Sequence, residues 1–93
     1  MITITKEEKR HVVKNDHGEV VGEITFVPIG ADKIIIDHTF VDNSMRGEGL
    51  AAKLVASVVE RMKEEGKKII PLCPFAKSEF EKNESYQEIL ASR

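Results

Sequence analysis

One cysteine, Cys73, is all the thiol chemistry in these 93 residues, so no disulfide forms within the chain. That fits a reducing compartment. An excess of either charge is also missing: 14 Lys and Arg stand against 16 Asp and Glu, a net of −2. A nucleic-acid module usually carries a clear basic surplus, and this chain has none. No stretch approaches the ~18–20 apolar residues that span a bilayer, and Met1 to Glu8 has no basic n-region. Internal repeats and low-complexity linkers are absent too. These absences make a cytoplasmic protein of one domain, residues 1–93, the expectation. At this length the chain hides roughly 60–65% of its unfolded surface, enough for a modest core.

What is present is periodicity. Ile2 to Thr5 alternates apolar and polar, and Lys9 to Lys14 reads as a second strand. Asn15-Asp16-His17-Gly18 is a turn signal. From Glu19 to Val27, Val20, Ile24 and Phe26 share one face with Gly22 between them, while Glu23 and Thr25 face away. Pro28 to Asp32 is a second hairpin loop. Lys33 to Val41 is the most apolar strand, with Ile34-Ile35-Ile36 placing hydrophobic groups on both faces. Glu48 to Glu65 is the clearest helix: Ala51, Leu54, Val55, Val58 and Met62 recur at spacings of three and four. Gly66 suits its left-handed cap. Ile69 to Cys73 is a short strand in which Pro71 demands an edge, or pairing on one side. Phe75 to Lys82 and Ser85 to Leu90 read as helical, broken near Asn83.

Together these give an α+β fold: a small mixed sheet of antiparallel hairpins followed by a β-α-β unit whose two strands run parallel. Ligands of such units sit beyond the carboxyl ends of the parallel strands. That brings Val41 to Gly49 and Cys73 to Phe75 together.

Asn43-Ser44-Met45-Arg46-Gly47-Glu48-Gly49-Leu50-Ala51-Ala52 turns from strand to helix at that place. A helix start behind a glycine-containing loop presents unpaired N–H groups, which hold phosphate. No Gly-Lys-Ser/Thr follows, so this is not a Walker loop, and the glycine spacing is not the dinucleotide fingerprint.

Arg46-Gly47-Glu48-Gly49-Leu50-Ala51 behind a central strand resembles the acyl-CoA signature of the GNAT superfamily of N-acetyltransferases. Ile36 to Val41 before it, and Ile70-Pro71-Leu72-Cys73-Pro74-Phe75 after the helix, resemble a small single-domain branch with a Cys-Pro-Phe element. The resemblance runs from about Val20 to about Leu90. It departs at Asn83-Glu84-Ser85-Tyr86, where His-Pro would precede Glu-Tyr.

The resemblance implies a truncated GNAT-like fold in which CoA wedges between two splaying parallel strands, Lys33–Val41 and Lys68–Cys73. Met45, Arg46, Gly47, Glu48, Gly49, Leu50 and Ala51 would hold the pyrophosphate, and the backbone through Phe40 and Val41 the pantetheine. The implied reaction is acetyl transfer from acetyl-CoA to an amine, with a protein or peptide amine one possible acceptor. The alternative is a non-catalytic acyl-CoA-binding or regulatory module, since the chain goes through hairpins where full-length members have two helices.

Four residues are candidates for the chemistry. Cys73 is either a small buried hydrophobe or a thiol that a helix N-terminus turns toward thiolate. His38, placed by alternation on the face of Ile34, Ile36 and Phe40, is either a satisfied core residue or a proton-transfer group. Asp37, facing the other way, is a weaker base. Tyr86 echoes the tyrosine that protonates the leaving thiolate in relatives. His11, His17 and His38 fall in separate elements, so no metal site is expected. Lys63, Lys67 and Lys68 read as a solvated face, or one of them as a contact for the adenosine 3′-phosphate.

Overall fold

A computed structural model describes residues 3–45 and 49–91. Five strands form one sheet in sequence order: β1 (Thr3–Lys6), β2 (Arg10–Lys14), β3 (Val20–Ile29), β4 (Lys33–Val41) and β5 (Lys68–Pro71). The first four pair antiparallel, and β5 joins β4 in parallel. Between them runs α1 (Leu50–Glu65). After β5 come α2 (Pro74–Lys82) and a 3-10 segment (Glu84–Ile89).

The two helices pack on one side of the sheet. Val13, Ile24, Phe26, Ile34 and Ile36 point into the same cluster as Leu54, Val55, Val58 and Met62 of α1 and Ala76 and Phe80 of α2. Fully burying an aliphatic side chain such as Leu54 is worth about 1.5–3 kcal/mol, so this face carries most of the stability. Gly66 ends α1 at φ 71°, and its amide and that of Lys67 close onto Lys63 and Met62 carbonyls. Ala51 is only half-buried, while Leu50 and Val59 join the buried stripe.

The sheet departs from simple alternation at two places, and both correct a sequence expectation. In β2–β3 the register slips after Val13, so that Val13 faces Gly22 and Lys14 faces Val20. Val21 therefore turns into the core and Val20 stands 45% exposed, the reverse of strict period two. In β3–β4 Thr25 faces His38 and Phe26 faces Ile36, leaving Asp37 as the extra residue of a bulge. From there the alternation of β4 is inverted. Thr39 and Val41, not His38 and Phe40, continue the inward face of Ile34 and Ile36.

Pro71 sits where sequence placed it, on an edge. β5 pairs with β4 on one side, and its other side meets the chain in a single bridge, Ile69 to Leu90. Proline has no N–H to extend that ladder.

Candidate active site

Beyond Pro71 the two parallel strands part. Their ladder runs from Lys33–Lys68 to Ile36–Pro71. The Ile36 carbonyl then accepts from both Leu72 N (3.1 Å) and Cys73 N (3.0 Å). β4 continues to Val41 while the chain leaves β5 for α2. Cys73 Sγ and Thr39 Oγ1, 3.5 Å apart, bridge the opening so made.

On the helix side of this opening lies a cleft of about 600 Å³. Thr39 and Val41 of β4, Met45, Gly49 to Ala52 at the start of α1, and Phe75 and Glu79 of α2 form its walls. The sequence folds this way locally for three reasons. The bulge at Asp37 turns Thr39 and Val41 inward. Asn43–Met45 makes a short 3-10 turn, tied by Met45 N to Asp42 O at 2.9 Å. Gly49 takes φ 71°, a left-handed conformation that glycine adopts freely.

The first intrahelical bond of α1 runs from Lys53 N to Gly49 O. The amides of Leu50, Ala51 and Ala52 thus precede the ladder, and Gly49 offers no side-chain cap to meet them. These donors edge the cleft, together with the positive end of the α1 dipole. Arg46, Gly47 and Glu48, the centre of the sequence motif, lie outside the described residues.

Cys73 is buried at the N-cap of α2, with Pro74 at the first helical position. Burial pushes its thiol up. The Thr39 hydroxyl and the backbone at Ala76 and Phe75 together outweigh that and hold it below its ordinary value. Cys73 is thus packed, as the first of its two readings has it, with hydrogen-bonding partners that favour its thiolate form.

His38 is neither on the inward face nor in the core. The bulge turns it and Asp37 out together on the helix-free face, where both are exposed. Asp37 Oδ1 accepts from Thr25 Oγ1 at 2.6 Å. The Phe40 side chain stands on the same outer face, 46% exposed, opposite Glu23. Tyr86 packs on Phe80, ring centroids 5.2 Å apart, and is not among the residues that line the cleft. Burial, then the charges of Glu79 and Glu60, push its phenol up and keep it protonated. Lys63, Lys67 and Lys68 cluster around Gly66, at the far end of α1 from the cleft.

Two cleft residues escaped the sequence reading. Thr39 was hidden by the bulge, which reverses its face. Glu79 follows Phe75 by four residues, so a helix started at Pro74 sets both on one side; that spacing was the available signal.

Comparison with known proteins fits this geometry. A family model described as GCN5-related N-acetyl-transferase matches residues 10–89. A GCN5-like protein of Staphylococcus aureus, solved by NMR, is 35% identical over 98% of this chain and 89% of its own, with a TM-score of 0.79. The Escherichia coli GNAT family N-acetyltransferase YhbS, crystallised with CoA, is 31% identical over 76% of this chain and 43% of its own, TM-score 0.67. A Mycobacterium tuberculosis protein crystallised with CoA shares the fold at 21% identity over 80% of this chain and 46% of its own, TM-score 0.66. The chain thus spans about half the length of these last two. No curated protein matches the sequence.

Proposed function

The chain belongs to the GCN5-related N-acetyltransferase family, and from that premise we propose that it moves an acetyl group from acetyl-CoA to an amine. The observation that carries this reading is the cleft itself. It joins helix-start amides, without a side-chain cap among the described residues, at one end to a strand opening at the other. A diphosphate suits the first, and an extended, neutral thioester arm suits the second.

In this reading the amides of Leu50, Ala51 and Ala52 receive the diphosphate, helped by the Arg46 to Glu48 loop. Val41, Met45 and Phe75 pack along the pantetheine arm. The thioester comes to rest at the opening between Thr39 and Cys73. The acceptor approaches from the helix-free face, where Asp37 and His38 stand together at the same height of β4. There a cation is attracted by the Asp37 carboxylate, and the His38 imidazole takes the proton that an ammonium must lose before its nitrogen can attack. The amine nitrogen then adds to the carbonyl carbon of the thioester held at the opening.

Isothermal titration with acetyl-CoA tests the donor half: binding tighter than about 1 mM is expected, and its absence overturns the assignment. Thiol release with a panel of primary amines and amine-bearing peptides tests the transfer. Tight binding with no turnover across that panel supports a non-catalytic acyl-CoA-binding module instead.

A further inference from the structure

One carboxylate in the cleft has no part in the chemistry described so far. Glu79 lies on α2 one turn beyond Phe75, with 9% of its surface exposed. A buried carboxylate normally has a strong partner. Its ion-pair partner here, Lys82 Nζ, is 3.8 Å away on a side chain that is 68% exposed. Such a pair contributes little and leaves the carboxylate available to the cleft. The walls contributed by β4 and α1 are uncharged: Thr39, Val41, Leu50, Ala51 and Ala52. From the 3-10 segment Tyr86 is close enough to feel the Glu79 charge, and it stays a neutral phenol.

We propose that Glu79 is a catalytic residue that carries the proton from the attacking nitrogen to the departing sulfur. The inference rests on the donor reading given above. The amine adds through its lone pair and forms the C–N bond, which leaves a positively charged nitrogen with one proton too many. The C–S bond breaks, and its electron pair stays on sulfur. Glu79 takes the proton from nitrogen and gives it to sulfur, so the products are the amide and the CoA thiol, and the carboxylate is restored. Nitrogen and sulfur are bonded to the same carbon in the adduct, so one carboxylate beside the sulfur reaches both.

The charge arrangement sets which end of the donor meets Glu79. Placed against the diphosphate, a carboxylate would add repulsion inside a low-dielectric cleft. Placed against the thioester arm it meets neutral atoms. The diphosphate belongs at the Leu50 to Ala52 amides, so the sulfur end belongs with Thr39, Cys73 and Glu79.

Carbon-13 NMR of the side-chain carboxyls, with the Glu79 signal identified by its loss in Glu79→Gln, separates the outcomes. Acetyl-CoA should shift the Glu79 carboxyl signal, because the thioester arm displaces water from beside the carboxylate. ADP, which carries the diphosphate without the arm, should leave that carboxyl signal unchanged while still shifting the amides of Leu50 to Ala52. In the thiol-release assay Glu79→Gln should lower kcat by about 100-fold or more, with the acetyl-CoA KM held within about threefold. Equal shifts of Glu79 by ADP and acetyl-CoA overturn the proposal. So does a response of Leu50 to Ala52 to acetyl-CoA with none at Glu79, and so does a raised KM with kcat spared, which would make Glu79 an anchor for the arm. If neither ligand moves the Leu50 to Ala52 amides, the donor reading itself fails and takes the proposal with it.

Discussion

Cys73 Sγ and Thr39 Oγ1 lie 3.5 Å apart across the gap where β4 and β5 separate. Thr39 belongs to β4 and Cys73 is the N-cap of α2, both past the last ladder pair of Ile36 and Pro71, so their contact spans the opening. It gives the thiol a hydroxyl partner, and the start of α2 gives it backbone partners at Phe75 and Ala76.

The first expectation concerns that thiol. Although burial raises its pKa, the hydrogen-bonding partners lower it further, so Cys73 should alkylate with a midpoint below that of a free thiol. Thr39→Val should move the midpoint back up. Iodoacetamide rates measured against pH check this, and an unchanged midpoint in the valine variant would show that Thr39 does not act on the sulfur. Acetyl-CoA should protect the thiol. Intact mass after acetyl-CoA exposure, with Cys73→Ala and Cys73→Ser turnover, then separates acetyl transfer through sulfur from simple packing.

Gly49 tests the anion site. Its φ of 71° is one that aspartate tolerates better than most residues, and a Cβ there meets none of the described residues within 4 Å. Gly49→Asp should therefore fold, with a Tm within a few degrees of the parent at about 1 kcal/mol of cost. It also sets a negative charge beside the amides of Leu50 to Ala52, so acetyl-CoA affinity should fall on the order of 100-fold. Gly49→Asn, with the same shape and no charge, should lose far less. Equal losses in both would point to shape rather than charge.

Gly22 reports on how closely α1 crosses the sheet. A Cβ at this position comes within 3.3 Å of the Phe40 carbonyl oxygen, 3.5 Å of Leu54 Cδ1 and 3.6 Å of Val13 Cβ. Gly22→Ala requires a shift of a few tenths of an ångström. Gly22→Val adds methyl groups where Leu54 already fills the space and should destabilise by about 1–3 kcal/mol. For a domain of this size that is a Tm drop of roughly 5–20 °C by calorimetry.

Much of this layout was legible in the sequence. Lys33–Val41 and the end of α1 at Gly66 fall where periodicity and capping put them, because a long apolar run and a left-handed glycine act locally. The mixed sheet follows from strand, helix and strand in that order. Bulges were not legible. A bulge changes which face a residue occupies without changing its residue type, and it is set by twist and by what the neighbouring strand must avoid. The slip at Asp37 therefore reversed the face of His38 and concealed Thr39. The slip at Val13 exchanged Val20 for Val21. The loop Arg46 to Glu48 was the strongest signal in the sequence, but it lies outside the described residues, so its part rests on the neighbouring Gly49 to Ala52.

The last expectation lies away from the cleft, where β2 meets α1. His11 is fully buried, its ring edge-on to Phe26. Ser57 Oγ donates to the Leu54 carbonyl at 2.7 Å, so its oxygen accepts from His11 Nδ1 at 2.8 Å. That leaves Nε2 as the acceptor for Arg61 Nη1 at 3.3 Å. Arg61 also donates to the Glu7 and Glu8 carbonyls, tying the β1–β2 turn to the helix. This arrangement requires a neutral imidazole. Burial first, then the charges of Arg61 and Lys6 against an opposing Glu65, pushes the ring from 6.5 down to about 4. The unfolded chain therefore binds a proton that the folded chain refuses between those values. Stability must fall as pH drops through that window and level off, as far as His11 is concerned, below about 4. After allowance for solvent screening the loss is about 2 kcal/mol. Urea unfolding at pH 7, 5.5 and 4.5 should show it. His11→Gln keeps a polar partner and has no proton to gain, so it should flatten the slope between pH 6.5 and 4.5. A slope that persists unchanged in that variant would assign the acid sensitivity to other groups.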